Sequence, residues 1–243
     1  MSEILGARIN RLAFWSAIIM LVVGMASMVL PLDAPLDTLA ADRAQWLNEN
    51  RGAIVLGWIN QMIAMITLTL VLAALAWRVR RGSPLTALLG AITLFASFMA
   101  FVIPKFIAIW SVPLLAQEAV SGSGNSPLAS SLLELLHITL PYSLFTSFDY
   151  LGFWLYAVFG LLIAGPLFKG SLACKVAALS LGAYGVAYHL VFAGIAMGRV
   201  AASDVEGYAL TSSALLIIAA LASIPLFRNS VVATPAAPVS TAG

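Results

Sequence analysis

Six long runs of apolar residues, at about 12–31, 53–77, 84–104, 148–168, 172–198 and 207–227, constrain this chain more than any other feature. About 20 apolar residues in a helix cross the roughly 30 Å hydrocarbon layer of a bilayer. In lipid the backbone must satisfy itself, so each run reads as a helix. Two of the connections, "RVRRGS" after the second run and "FKGS" after the fourth, are too short for anything but antiparallel neighbours. The expected fold is all-α: a polytopic bundle of six transmembrane helices over residues 1–228, with a disordered tail at 229–243. Composition agrees, since 62% of the 243 residues are hydrophobic and only 9% are charged, far from the quarter or so that wets a soluble domain. A net charge of +2 with no long basic run gives no sign of nucleic-acid binding. The single cysteine, Cys174, rules out an intramolecular disulfide and reads as a small apolar filler.

The charges give the bundle a direction. One set of ends carries Arg8, Arg11, Arg78, Arg80, Arg81, Lys169, Lys175 and Arg228. The other keeps Arg43, Arg51 and Arg199, with Lys105 at a helix end. The positive-inside rule then places both termini in the cytoplasm. Arg8 and Arg11 followed by an apolar run also admit a cleaved signal peptide ending at "GMA" (24–26), but the run exceeds the usual 7–15 apolar residues of such a segment. Trp15 and Trp77 fall near the inner boundary, and Trp58, Trp110 and Trp154 near the outer one.

The outer connections are expected to form short amphipathic helices capping that face. Residues 36–52 read as a helix lying on the leaflet, with Asp37 as N-cap and Gly52 as stop. The stretch after Pro104 runs beyond the reach of one span. "SGSGNSP" breaks it, and "LASSLLELLHITLP" follows as a second amphipathic piece, with Ser131 and Glu134 as a capping box. Ser83, Ser171 and the pair Ser203/Glu206 read as starts of later spans.

The stretch "FDYLGFWLYAVFGLLIAGPLFKGSLACKVAALSLGAYGVAY" (148–188) has a glycine-bearing helix, a very short turn, and a helix with spaced glycines and tyrosines. It is similar to a family of uncharacterised six-helix bacterial inner-membrane proteins. The resemblance implies a multi-pass protein of that membrane and assigns no activity to any residue.

Counted at 1.5 Å per residue from the inner charges, Ser27, Asn60, Gln61, His189, Thr211 and Ser212 lie at similar depth, roughly 21–27 Å. They predict a polar layer in the outer half, with Lys105 and Asp149 a little higher. Ala178, Gly182, Gly185, His189, Ala193 and Ala196 form one helical stripe, so His189 is expected to face protein. His189, Tyr188, Asn60, Gln61, Thr211, Lys105 and Asp149 are the candidates for a ligand site or proton path. For His189 the simpler expectation is a neutral imidazole bonded to Asn60, Gln61 or a hydroxyl; for Lys105 and Asp149 it is interfacial anchoring. Glu134 and His137 have a metal-ligand spacing but lack the second motif that di-metal bundles need. Gly194 and Gly198 read as a close-packing motif for the bundle or for a membrane partner or second copy.

No phosphate loop, metalloprotease motif or nucleophile elbow occurs, so catalysis is not expected. The leading reading is a lipid-embedded binding, sensory or accessory subunit without a cofactor. Its competitors are a proton-coupled transporter using His189 and a haem b protein ligated by His137 and His189.

Overall fold

A computed structural model describes residues 2–35 and 38–232. Among them are eight α-helices and no strand: α1 Ser2–Ala26, α2 Ala40–Glu49, α3 Arg51–Val79, α4 Pro84–Val120, α5 Ser126–Leu135, α6 Leu144–Phe168, α7 Leu172–Ala196 and α8 Val205–Val232. Six of them, all except α2 and α5, are long and apolar enough to cross a membrane. Each long helix packs on the one before and the one after it, and α1 meets α8 to close a ring. Within the ring α3 also touches α6 and α8. Six alternating long helices leave the start of α1 and the end of α8 at one end, the terminal end; α2 and α5 stand at the other, the capped end.

The sides of these helices differ in size rather than in polarity. On α1 the buried positions are Ala13, Ser16, Ala17 and Met20, while Leu12, Trp15, Ile19 and Val22 face outward. Lipid is as apolar as leucine, so association favours small residues that let backbones approach and gain dispersion contact. The α6–α7 seam is the clearest case. A Cβ on Gly160 would stand 2.4 Å from the Leu181 carbonyl oxygen, and one on Gly185 would stand 2.9 Å from that of Ala157. Tyr156, Phe159, Ile163, Leu181 and Tyr184 fill the space around this crossing.

Several boundaries differ from the sequence expectation. The first helix starts at Ser2 and its span ends at Ala26, not at residue 31. The third span does not stop at Pro104, because α4 runs on through Pro104 and Pro113 to Val120. Gly52 does not stop a helix: α2 ends at Glu49 and Gly52 lies in the first turn of α3. Asp37 lies outside the described residues. Ser131 sits mid-helix, its hydroxyl bonded to the Pro127 carbonyl, so it caps nothing. Ser203 donates to Asp204 rather than closing a box with Glu206. Helix α8 continues to Val232, and the rest of the expected tail lies outside the described residues. Ser83 and Ser171 do stand at N-cap positions, though only Ser171 accepts a bond there. Ser143, unnoticed in the sequence, caps α6 by accepting from the Thr146 N–H.

The two short helices cover a second small core. Helix α5 folds back along the far half of α4, and α2 packs on the same half. Leu47, Trp58, Val112, Ala116, Leu133 and Phe145 come together there. Trp58, expected at an interface, is buried with its indole N–H bonded to the Leu32 carbonyl at 2.9 Å. Arg43 fastens the layer. Its Nε and one terminal nitrogen grip both oxygens of Asp33 at 2.8 and 2.7 Å, and the other terminal nitrogen donates to the Leu133 carbonyl at 3.1 Å. Both side chains are 5% exposed, so the bidentate geometry offsets a real desolvation cost.

The seam at Gly160 yields a paired expectation. Gly160→Ala forces a methyl onto backbone and should destabilise the bundle by about 1–3 kcal/mol. Gly165→Ala on the same helix meets open space and should be neutral. Thermal unfolding in detergent separates them; equal midpoints for the two variants would disprove the close crossing.

Candidate functional site

The residues expected to share a polar layer are divided between different sides of the ring. Asn60 donates to the Val23 carbonyl at 2.9 Å and to Ser27 Oγ at 2.8 Å, and Gln61 donates to Ser27 Oγ at 3.2 Å. These bonds tie α3 to the end of α1. His189 is elsewhere, half-buried on α7, with Nδ1 2.7 Å from the Gly185 carbonyl oxygen. Its ring lies 6.2 Å from that of Trp154. The expected bond between His189 and Asn60 or Gln61 is therefore absent: α7 packs on α6 and α8, and α3 packs on α1 and α4. The small stripe of α7 faces protein only in part, since Ala178 and Gly185 are buried while Ala193 and Ala196 are exposed. Thr211 is exposed and bonds back to the Gly207 carbonyl at 2.8 Å. Tyr188 donates to the Tyr150 carbonyl at 3.2 Å.

Gly194 and Gly198 serve the end of α7. Gly198 adopts φ +66°, which favours glycine. The Arg199 N–H returns to the Gly194 carbonyl at 2.8 Å and the Gly198 N–H to that of Ile195 at 2.9 Å, a Schellman stop. Val200 covers Gly194 closely.

Lys105 and Asp149 are not separate anchors. Lys105 Nζ and Asp149 Oδ1 pair at 2.7 Å across α4 and α6. The lysine side chain is 4% exposed and the carboxylate 25%, so the pair is sealed on one side and open on the other. Phe101 and Phe145 lie 5.0 and 5.9 Å from the ammonium and help to seat it. The open side of Asp149 lines a cavity of about 290 Å³ between α6, α8 and the segment 136–143. Thr139, Tyr142, Tyr150, Glu206 and Ser213 are among its other walls. A second cavity of about 320 Å³ adjoins it toward α7, and Pro141, Tyr142, Tyr150 and Ala209 belong to both. The second chamber is apolar, walled by Val191, Phe192, Ile195 and Val205, with Tyr188 beside them. Of the sequence candidates, this arrangement brings together Lys105, Asp149 and Tyr188. Glu206 entered the sequence reading only as a cap, and Tyr142 and Tyr150 carried no signal, because their side chains meet only once 136–143 folds over the bundle.

His137 stands at the start of that roofing segment. A backbone N–H can only donate, so the 3.3 Å bond from Thr139 N makes His137 Nδ1 the acceptor and the ring a neutral Nε2–H tautomer. The Thr139 hydroxyl lies 2.9 Å from the same nitrogen, and Asp33 Oδ2 is 3.9 Å away. Burial, then the Arg43 guanidinium, hold the imidazole below its ordinary range, against an opposing pull from Asp33 and Glu134. Glu134 is exposed on α5, and among the described residues no three His, Cys, Asp or Glu side chains gather as a metal site. Comparison of the chain with protein-family models, curated proteins and solved structures returns no match.

The lowered His137 pKa carries a pH dependence. The unfolded chain, with an ordinary imidazole near 6.5, binds a proton before the folded cap does. Stability from this site is complete above about pH 6.5 and is lost as pH falls toward the lower folded value. Between pH 7 and pH 5 the thermal midpoint should drop in the native protein and drop less in His137→Gln. An identical acid response in both would exclude the imidazole as its source.

Proposed function

We propose that this is a non-catalytic binding protein of the bacterial inner membrane, with both termini cytoplasmic and a chamber for a small amphiphile at the capped, outward end. The observation that carries the reading is the pair of adjoining cavities, one polar and floored by a buried ion pair, the other apolar and flanked by exposed Phe192 and Ile195. Concave sites with mostly apolar walls and a few convergent polar groups are where small ligands bind. A head in the first chamber and a hydrocarbon body in the second would use both. The basic residues clustered at the terminal end support the orientation.

The other readings are served less well. His189 is bonded to its own helix backbone and lines neither chamber, which leaves a proton path through it without a next step. Haem ligation by His137 and His189 would need two imidazoles that sit apart, one at the start of the roofing segment and one on the α6–α7 seam.

Binding is tested in nanodiscs with four octyl amphiphiles: octylamine, octyltrimethylammonium, octyl glucoside and octyl sulfate. At least one should bind saturably, and Ala209→Trp, which fills the junction of the chambers, should abolish that binding in protein whose unfolding remains cooperative, with the midpoint lowered by no more than the cost of the added bulk, about 1–3 kcal/mol. Binding of none, or binding indifferent to Ala209→Trp, would overturn the proposal. For orientation, a cytoplasm-active reporter fused after Arg80 should be active and one at Asp204 silent; the opposite pattern would reverse it.

A further inference from the structure

The polar chamber has an unusual donor and acceptor balance. Its charged walls are Asp149 and Glu206, and no Lys, Arg or His side chain lines either cavity. Lys105 neutralises Asp149 from behind, whereas Glu206 forms no ion pair among the described residues. The hydroxyls have already spent their protons. Ser213 donates to the Ala209 carbonyl at 2.8 Å, and Thr146 donates to that of Leu140 at 2.7 Å. Ser203 donates to Asp204 Oδ1 at 3.2 Å. The Thr139 hydroxyl faces the accepting nitrogen of His137 and must be the donor there. Each of these oxygens keeps lone pairs and no hydrogen to offer. Apart from the phenols of Tyr142 and Tyr150, the side chains of the chamber therefore present acceptors and one unneutralised carboxylate.

We infer that the ligand's head is a protonated amine, a primary or secondary ammonium attached to an apolar body. This deepens the binding proposal and rests on it. An anionic head would meet two carboxylates and, among the side chains, no donor besides the two phenols. A neutral head would leave Glu206 without a counter-charge. A quaternary ammonium would satisfy the charge and the rings of Tyr142, Tyr150 and Phe153 but would give the waiting lone pairs no hydrogen. An N–H cation answers both, with Glu206 as its counter-ion.

The same four octyl probes separate this inference from the reading beneath it. Octylamine at pH 7 should bind most tightly, about tenfold or more ahead of octyl sulfate, with octyltrimethylammonium between them. Glu206→Gln should shrink the amine's advantage about three- to tenfold while leaving the weaker binding of octyl glucoside unchanged. Glu206→Asp should restore most of it. Glu206 is exposed, and unaltered thermal midpoints check that both variants fold. If octyl sulfate or octyl glucoside binds as tightly as octylamine and Ala209→Trp still removes it, the chamber stands and the amine assignment is overturned. An amine preference that survives Glu206→Gln intact also overturns the assignment of its counter-ion. If no probe binds in a manner sensitive to Ala209→Trp, the failure belongs to the chamber itself.

Discussion

The length of α4 is the constraint on which the rest of this molecule depends. Its 37 residues span about 55 Å at 1.5 Å per residue, against a hydrocarbon layer of about 30 Å. A helix of this length standing upright carries close to half of itself beyond the apolar slab, and its buried face there needs a partner. Ala108, Val112 and Ala116 supply that face, and α2, α5 and the top of α3 cover it with Leu47, Leu133 and Trp58. Because α5 folds back along α4, the chain returns to the membrane through the segment 136–143, which roofs the chambers. A fourth pass that ended at Pro104 would leave neither cap nor roof.

Two buried ion pairs sit at the joints of this arrangement, and they differ in what closes them. Arg43 and Asp33 are sealed on both sides, and the guanidinium's spare donor ties α2 to the end of α5. Removing one member would strand the other in a dry place, a loss of about 3–5 kcal/mol. Lys105 and Asp149 are sealed on the lysine side alone. The first pair holds the cap together; the second presents half of itself to a cavity. Elsewhere the polar side chains of the bundle mostly bond to carbonyls one turn back, as Thr67, Ser223 and His189 do, which satisfies them without joining helices.

That habit explains where the sequence misleads. Helix count and the short turns at the terminal end are legible, because hydrocarbon thickness sets run length and turns of four and three residues leave no choice of neighbour. Depth is legible too: Ser27, Asn60 and Gln61 do meet, being on adjacent helices. Lateral position is not. Counting along the helix sets His189 at their level, but apolar positions surround every span, so no hydrophobic stripe says which helix faces which. Here size carries the information, as at Gly160 and Gly185, and a glycine gives no hint of its partner. The same blindness hides the chambers. Asp149 was visible as a charge near a helix end, whereas its pairing with Lys105 and its proximity to Tyr142 and Glu206 depend on the path of a loop. Pro104 misled for a separate reason: proline disfavours a helix interior, yet packed neighbours on both sides hold α4 through it.

The central claim, that α4 crosses the membrane and continues as the spine of a folded cap, can be tested by walking single cysteines along its exposed face. The one native cysteine, Cys174, is buried and should stay silent. In nanodiscs open from both sides, a membrane-impermeant maleimide should fail to label sites at Ile92, Phe95 and Met99. It should label Leu114 and Val120, with the change falling near Phe106 or Trp110. Protection that continues unbroken to Val120 would mean that α4 lies within the bilayer along its whole length, and the cap and its chambers would have to be abandoned.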